Sequence, residues 1–148
     1  MGKGKKAVTL IELLIVITIF VITFVLLTPL VNKVKERANI IKCSNHVRLI
    51  SLALHMYAAD HAEAFPNDLK DLYPNYVKEE KIFDCPAAGV RGTSERSSYE
   101  YIAELTESSP ATEVILYDCD GNHRKLGRNI VRVNGSVEWA RGTEGKPR

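Results

Sequence analysis

Between Leu13 and Val31 the chain carries no charged side chain, and one carboxylate, Glu12, stands at the leading edge of that run. Wound as a single helix at about 1.5 Å per residue, such a run spans the roughly 30 Å hydrocarbon core of a bilayer. A helix apolar on every side has no face to leave in water, which constrains the first part of the chain more than any other feature. A carboxylate at the edge of the hydrocarbon costs on the order of 2–3 kcal/mol, so Glu12 calls for a partner. A helix that only anchors has no use for this charge; a helix that docks beside copies of itself does. Lys3, Lys5 and Lys6 precede the run and place the amino terminus in the cytoplasm under the positive-inside rule. Lys33, Lys35 and Arg37 pull the other way, but the early lysines lie on a short tail and outweigh them.

An ordinary secretory signal has a shorter apolar core followed by a small-x-small cleavage site. Here the core is about twice the usual length, contains Glu12, and ends in Pro29-Leu30-Val31-Asn32-Lys33 without such a site. The competing reading is an uncleaved single-span anchor that carries an extracytoplasmic binding or sensor module. Of the 148 residues, about thirty belong to leader and span, which leaves a little over a hundred for one small exported domain. A formal net charge of +2, with no basic stripe interleaved with aromatics, argues against a nucleic-acid partner.

Past the span the helical period continues, with Val34, Ala38, Ile41, Val47, Ile50, Leu54, Tyr57 and Ala58 recurring at helical steps. The half from Val47 to Ala58 is the face expected to pack on the body, and Phe65-Pro66-Asn67 is the expected end of the helix. A helix from Val8 to His61 would be about 80 Å long. Pro29 removes one backbone hydrogen bond from it and predicts a kink or local melting between Leu26 and Leu30. Further on, Tyr99 to Ile102 and Val114 to Tyr117 read as strands. Ile130, Val131 and Val133 form one arm of a hairpin and Val137 and Trp139 the other, with Asn134-Gly135 supplying the positive φ angles of a tight primed turn. The expected fold class is α+β, a long amino-terminal helix packed on a small antiparallel sheet.

The block Ala7-Val8-Thr9-Leu10-Ile11-Glu12-Leu13-Leu14 resembles the processing site of type IV pilins and of the pseudopilins of type II secretion. The resemblance implies cleavage by a prepilin peptidase between Ala7 and Val8 and methylation of the new amino terminus. It also implies that Glu12 pairs with the terminal amine of a neighbouring subunit and so sets filament register. Family members usually have Gly and Phe where this chain has Ala7 and Val8, and many carry a helix-loosening proline where Pro29 stands. A second resemblance, to bacterial pseudopilin-like proteins, covers most of the body. It rests on Cys43-Ser44-Asn45, Leu52-Ala53-Leu54-His55-Met56-Tyr57, Phe65-Pro66, Leu69-Lys70-Asp71-Leu72-Tyr73, Ile82-Phe83-Asp84-Cys85-Pro86 and the closing segment from Asn122 to Trp139. The family writes Asp-Gly where this chain has Asn134-Gly135. The implied division is a cytoplasmic leader at 1–7, a filament-core helix at 8–31, its continuation at 32–63, a pilin-like body at 64–141 and a flexible tail at 142–148. The implied partners are the peptidase, like or unlike filament subunits, an inner-membrane assembly platform and the membrane itself. The chain would start as a single-pass inner-membrane protein with its body outside the cytoplasm.

No zinc-protease, phosphate-loop or nucleophile-elbow motif is present, so no enzymatic activity is expected. A triad of His123, Asp118 or Asp120 and Ser136 is conceivable, but an orienting hydrogen bond from His123 to the hairpin is the preferred role. Asp118, Asp120 and Asn122 alternate around Gly121 as oxygen ligands of calcium do, and the major pseudopilin of type II secretion has a calcium-bound loop in this region. The bidentate glutamate of a helix-loop-helix calcium loop is replaced by Asn129, and an ordinary turn between strands is preferred. Cys43, Cys85 and Cys119 allow one disulfide or none. Cys85 and Cys119 are both body residues able to pair, and Cys43 reaches Cys85 if the intervening loop folds back.

Overall fold

The main helix begins where the sequence offers a cap. In the computed structural model, which describes residues 9–142, Thr9 immediately precedes helix α1 (Leu10–Asp60). Glu12 N donates to Thr9 Oγ1 at 3.3 Å, and Thr9 N donates to the Glu12 carboxylate at 3.5 Å. This reciprocal Thr-x-x-Glu box satisfies two of the amides that a helix start leaves without partners. The expected processing junction at Ala7 and Val8, and the tail beyond Gly142, lie outside the described residues.

The chain divides into two units, Met1–Lys35 and Glu36–Arg148. In the first, every described side chain from Leu10 to Val31 is exposed. Its most apolar stretch has a mean hydropathy of 3.0 and buries none of its surface, and it is long enough to cross a membrane. The hydroxyls of Thr18, Thr23 and Thr28 donate to the carbonyls of Leu14, Ile19 and Phe24, each at 2.8 Å. Polar groups on an apolar helix are thereby satisfied within it, as a hydrocarbon surrounding requires. Helix α1 is continuous through Pro29, so the local melting expected between Leu26 and Leu30 does not occur. A proline removes one hydrogen bond from the ladder, and the bonds on either side suffice to carry the helix past it.

In the second unit α1 turns one face inward. Cys43, Val47, Ile50, Leu54 and Ala58 are buried at steps of three and four residues. The helix stops at Asp60, ahead of the proline expected to end it. Ala62 and Glu63 adopt left-handed angles (φ 53° and 67°), and Glu63 N donates back to Ala58 O at 2.9 Å. That six-to-one bond closes the helix end in the Schellman manner. Short 3-10 turns at Leu69–Leu72 and Glu80–Phe83 then press Leu69, Leu72 and Phe83 into the core.

Four strands complete the unit: β1 (Tyr99–Tyr101), β2 (Val114–Asp118), β3 (Gly127–Arg132) and β4 (Val137–Arg141). They form an antiparallel meander in the order β1-β2-β3-β4. The register of β2 against β3 shifts between Val114 and Leu116, so Ile115 is an extra residue in the ladder, a β-bulge. Ile115, Leu116, Val131 and Val133 meet Val47, Ile50 and Leu54 of α1 in one cluster. The α+β class is therefore as expected.

The β3–β4 turn differs from the primed turn expected. Gly135 (φ 78°) is left-handed, whereas Asn134 is not. Gly135 N donates to Arg132 O at 2.9 Å, and Arg132 N to Ser136 O at 3.0 Å. This is a longer loop with a left-handed glycine at its bulge, pinned by Asn134 Oδ1, which accepts from Ser136 N at 3.0 Å.

The disulfide joins Cys43 to Cys85, not Cys85 to Cys119. Cys43 lies on the buried face of α1, and Cys85 follows Phe83, which is fully buried in the same core. Packing brings their Cα atoms to 5.5 Å, within the usual range for a disulfide. Cys119, just past the end of β2, stays a free thiol with its sulfur 3.9 Å from the Glu100 carboxylate.

Candidate functional site

Two regions hold chemistry. The first is the start of α1, where an exposed apolar helix carries Glu12 in its first turn. Among the contacts of the described residues, the Glu12 carboxylate meets the Thr9 amide. Its role in closing the capping box is legible in the Thr-x-x-Glu spacing, a local signal that the expectation of a partner on a neighbouring subunit does not use.

The second region lies inside the body. Strand β2 ends on Asp118, a left-handed Gly121 (φ 95°) reverses the chain, and a 3-10 turn at Asn122–Lys125 follows. Asn122 Nδ2 donates to Ser98 O at 3.0 Å and fixes the turn. His123 itself takes a left-handed φ of 56°, uncommon for a residue with a side chain though histidine is among those that adopt it more often. Its ring is fully buried and meets the Trp139 indole edge to face at 5.5 Å. Across the same wall Gly127 has no room for a side chain, since a Cβ there would collide with Ala140 O and the Trp139 ring.

His123 faces the disulfide. Its Nε2 lies 3.5 Å from Cys85 Sγ and 3.4 Å from Asp118 Oδ2, and its Nδ1 lies 3.4 Å from Glu36 Oε1. Asp118 Oδ2 also accepts from Asn129 N at 2.7 Å and Asn129 Nδ2 at 2.9 Å. One potential ligand atom from each of Cys43, Cys85, Asp118 and His123 falls within 4.8 Å of the others, and all four residues are buried. The hydrogen bond expected from His123 to the hairpin is replaced by ring packing on Trp139, because both ring nitrogens are turned toward the cluster. Nothing local in the sequence announced this constellation: Cys43 and Cys85 are 42 residues apart, and Glu36 lies on α1. The signal available was the short spacing of Asp118 and His123.

The expected calcium ligands do not converge. Asp118 turns to Asn129 and His123, Asp120 pairs with the Arg128 guanidinium at 2.6 Å, and Asn122 spends its amide on Ser98. Arg128 in turn sits 5.5 Å from the Tyr117 ring centroid. Ser136 belongs to the hairpin loop, where its amide bonds Asn134, and among the described contacts the His123 ring nitrogens meet Glu36, Asp118 and Cys85 rather than a serine hydroxyl. The other histidines are dispersed: His46 Nδ1 meets Asp84 O, His55 Nδ1 meets Glu107, and His61 Nδ1 meets Tyr57 O.

Electrostatics follow from this packing. Burial first, and then the Asp118 carboxylate, raise Tyr99 well above the ordinary phenol range. Burial and the adjacent Glu100 push the Cys119 thiol up to about 11, which leaves it a poor nucleophile at neutral pH. An open surface groove of about 680 Å³, lined by Lys42, His46, Glu80, Lys81, Asp84 and Arg91 among others, carries both signs of charge. No protein-family model matches this chain, and no curated protein or solved structure does either.

Proposed function

We propose that this chain is a structural subunit of a type IV pilus-like or type II secretion pseudopilus filament, cut before Val8 and assembled through its apolar helix. The observation that carries the reading is the start of α1: an apolar surface exposed all round, opening with a carboxylate. Such a surface is stable in a bilayer or among like helices, and in water it would aggregate. The small α+β body then rides outside the membrane as the part each subunit displays. In this reading the protein performs no catalysis, Leu10 to Val31 packs against neighbouring helices, and Glu12 meets the amine of an adjacent Val8. A charge stranded in apolar surroundings penalises every axial offset that leaves it without its partner, and so fixes register.

Intact mass and amino-terminal sequencing of protein recovered from its native membrane test the proposal. The expected result is a chain beginning at Val8 with one added methyl group. A chain beginning at Met1 or Gly2 would make the protein a static anchor with an extracytoplasmic module and would overturn the filament reading.

A further inference from the structure

Cys43, Cys85, Asp118 and His123 present two sulfurs, a carboxylate and an imidazole nitrogen in one buried pocket. A structural disulfide needs nothing beyond apolar neighbours, yet this one is packed against two ionisable side chains that are both fully buried. Asp118 Oδ2 and His123 Nε2 lie 3.4 Å apart, and the same nitrogen lies 3.5 Å from Cys85 Sγ, so polar atoms converge on the sulfurs. Buried polar and ionisable groups gathered in this way are uncommon and call for an explanation. We propose that, with Cys43 and Cys85 as thiols, these four residues hold one zinc ion, so that zinc and the disulfide are alternative states of the same cluster.

The distances fit. In a tetrahedral zinc site, with bonds of about 2.3 Å to sulfur and about 2.0–2.1 Å to nitrogen or oxygen, neighbouring nitrogen and oxygen ligands stand ~3.3 Å apart and nitrogen and sulfur ~3.6 Å apart. His123 Nε2 lies 3.4 Å from Asp118 Oδ2 and 3.5 Å from Cys85 Sγ. Both distances from His123 Nε2 therefore already have the spacing, all four ligand atoms lie within 4.8 Å of one another, and the sulfurs must separate to ~3.8 Å once their bond is broken. Two thiolates and an imidazole beside a single carboxylate suit zinc and not the hard cations calcium or magnesium, which take oxygen ligands throughout.

The surroundings match what a zinc ligand needs behind it. A ligating histidine usually turns its other nitrogen to a carboxylate, and Glu36 Oε1 stands 3.4 Å from His123 Nδ1. Asn129 holds Asp118 through its amide N–H and its side-chain NH2, so the carboxylate is oriented before any metal arrives. The ligands come from α1, the loop after Phe83, β2 and the turn that follows it, so the metal would join β2 and that turn to the two elements that the disulfide ties.

The interconversion balances. A dithiol reductant transfers two electrons and two protons to the Cys43–Cys85 bond, which becomes two thiols while the reductant becomes a disulfide. Zinc then displaces both thiol protons to solvent as the two Zn–S bonds form. A disulfide oxidant runs the sequence backward and expels the ion.

The full chain in detergent, reduced with a phosphine that is then removed, is titrated with Co2+ and afterwards with Zn2+. The expected result is one metal per chain, with thiolate-to-cobalt charge-transfer bands and tetrahedral d–d bands that zinc abolishes. Zinc is expected to protect Cys43 and Cys85 from alkylation while Cys119 remains modifiable, and oxidation with diamide to release one zinc per chain. Cys43→Ser and His123→Gln should abolish the cobalt spectrum, whereas Cys119→Ser should retain it. Should a variant fail to fold, the alkylation pattern of the unsubstituted chain decides alone. A cobalt spectrum without thiolate bands, or a zinc-loaded chain whose Cys43 and Cys85 alkylate as fast as without metal, would overturn the proposal.

Discussion

Glu12 has two roles that depend on different properties of its side chain. Closing the capping box needs an acceptor at that position and no charge, so glutamine serves as well as glutamate. Pairing with an amine on a neighbouring subunit needs the charge. Glu12→Gln therefore separates the two: membrane insertion and the start of α1 should be kept, while filament yield should fall about tenfold or more, the effect of losing roughly 1.4 kcal/mol of pairing per contact. Glu12→Ala should lose the assembly and also about 1 kcal/mol of local helix stability. Filament counts by electron microscopy beside a membrane-fraction blot provide the check. Wild-type yield from Glu12→Gln would leave the carboxylate a helix cap and nothing more. At this scale the sequence showed which residue was unusual, while the partner it finds within its own turn followed from a spacing that is easily read past.

At the scale of elements, periodicity was a sound guide wherever one face of an element is buried. The buried positions of α1 and the placement of all four strands follow from it. Ends and turns were less legible. Left-handed Ala62 and Glu63 end α1 without the glycine that usually marks such a stop, and the Asn134-Gly135 pair is compatible with more than one hairpin loop. The β3–β4 hairpin offers a test of close packing. A Cβ at Gly127 would strike the Ala140 carbonyl and the Trp139 ring, whereas one at Gly89 would meet nothing. Gly127→Ala is expected to destabilise the body by about 1–3 kcal/mol through overpacking, and Gly89→Ala to stay within about 0.5 kcal/mol of the parent. Urea denaturation followed by Trp139 fluorescence reads both. Equal midpoints for the two variants would show that the hairpin yields more readily than its contacts imply.

For the molecule as a whole, the core makes folding sensitive to alkali. Tyr99 and Tyr101 are both raised above the ordinary phenol range, first by burial, and their hydroxyls donate to the carbonyls of Asp84 and Pro66. In the unfolded chain these phenols ionise near pH 10, while in the folded chain they keep their protons to higher pH. Above that point the unfolded state binds fewer protons than the native state, so stability falls as pH rises. Below it, both states keep the proton and the two tyrosines contribute no slope. The urea midpoint should thus drop steeply above pH ~10, with the tyrosinate absorbance of these two buried phenols, set apart by comparison with the double phenylalanine variant, appearing together with unfolding. Replacing both tyrosines with phenylalanine should flatten that slope, and an unchanged slope would place the alkaline sensitivity elsewhere.

What the sequence determined by itself was everything carried by local pattern: an apolar helix able to span a bilayer, its amphipathic continuation, the strands and the α+β class. These are legible because burial imposes a short period on the residues of each element. Only the tertiary structure decided which cysteines pair, where the Asp118 carboxylate turns, and that His123 lies buried between Glu36, Cys85 and Asp118. Those contacts join residues far apart in the chain, and their geometry comes from the packing of α1 against the sheet, for which no spacing along the sequence is a substitute.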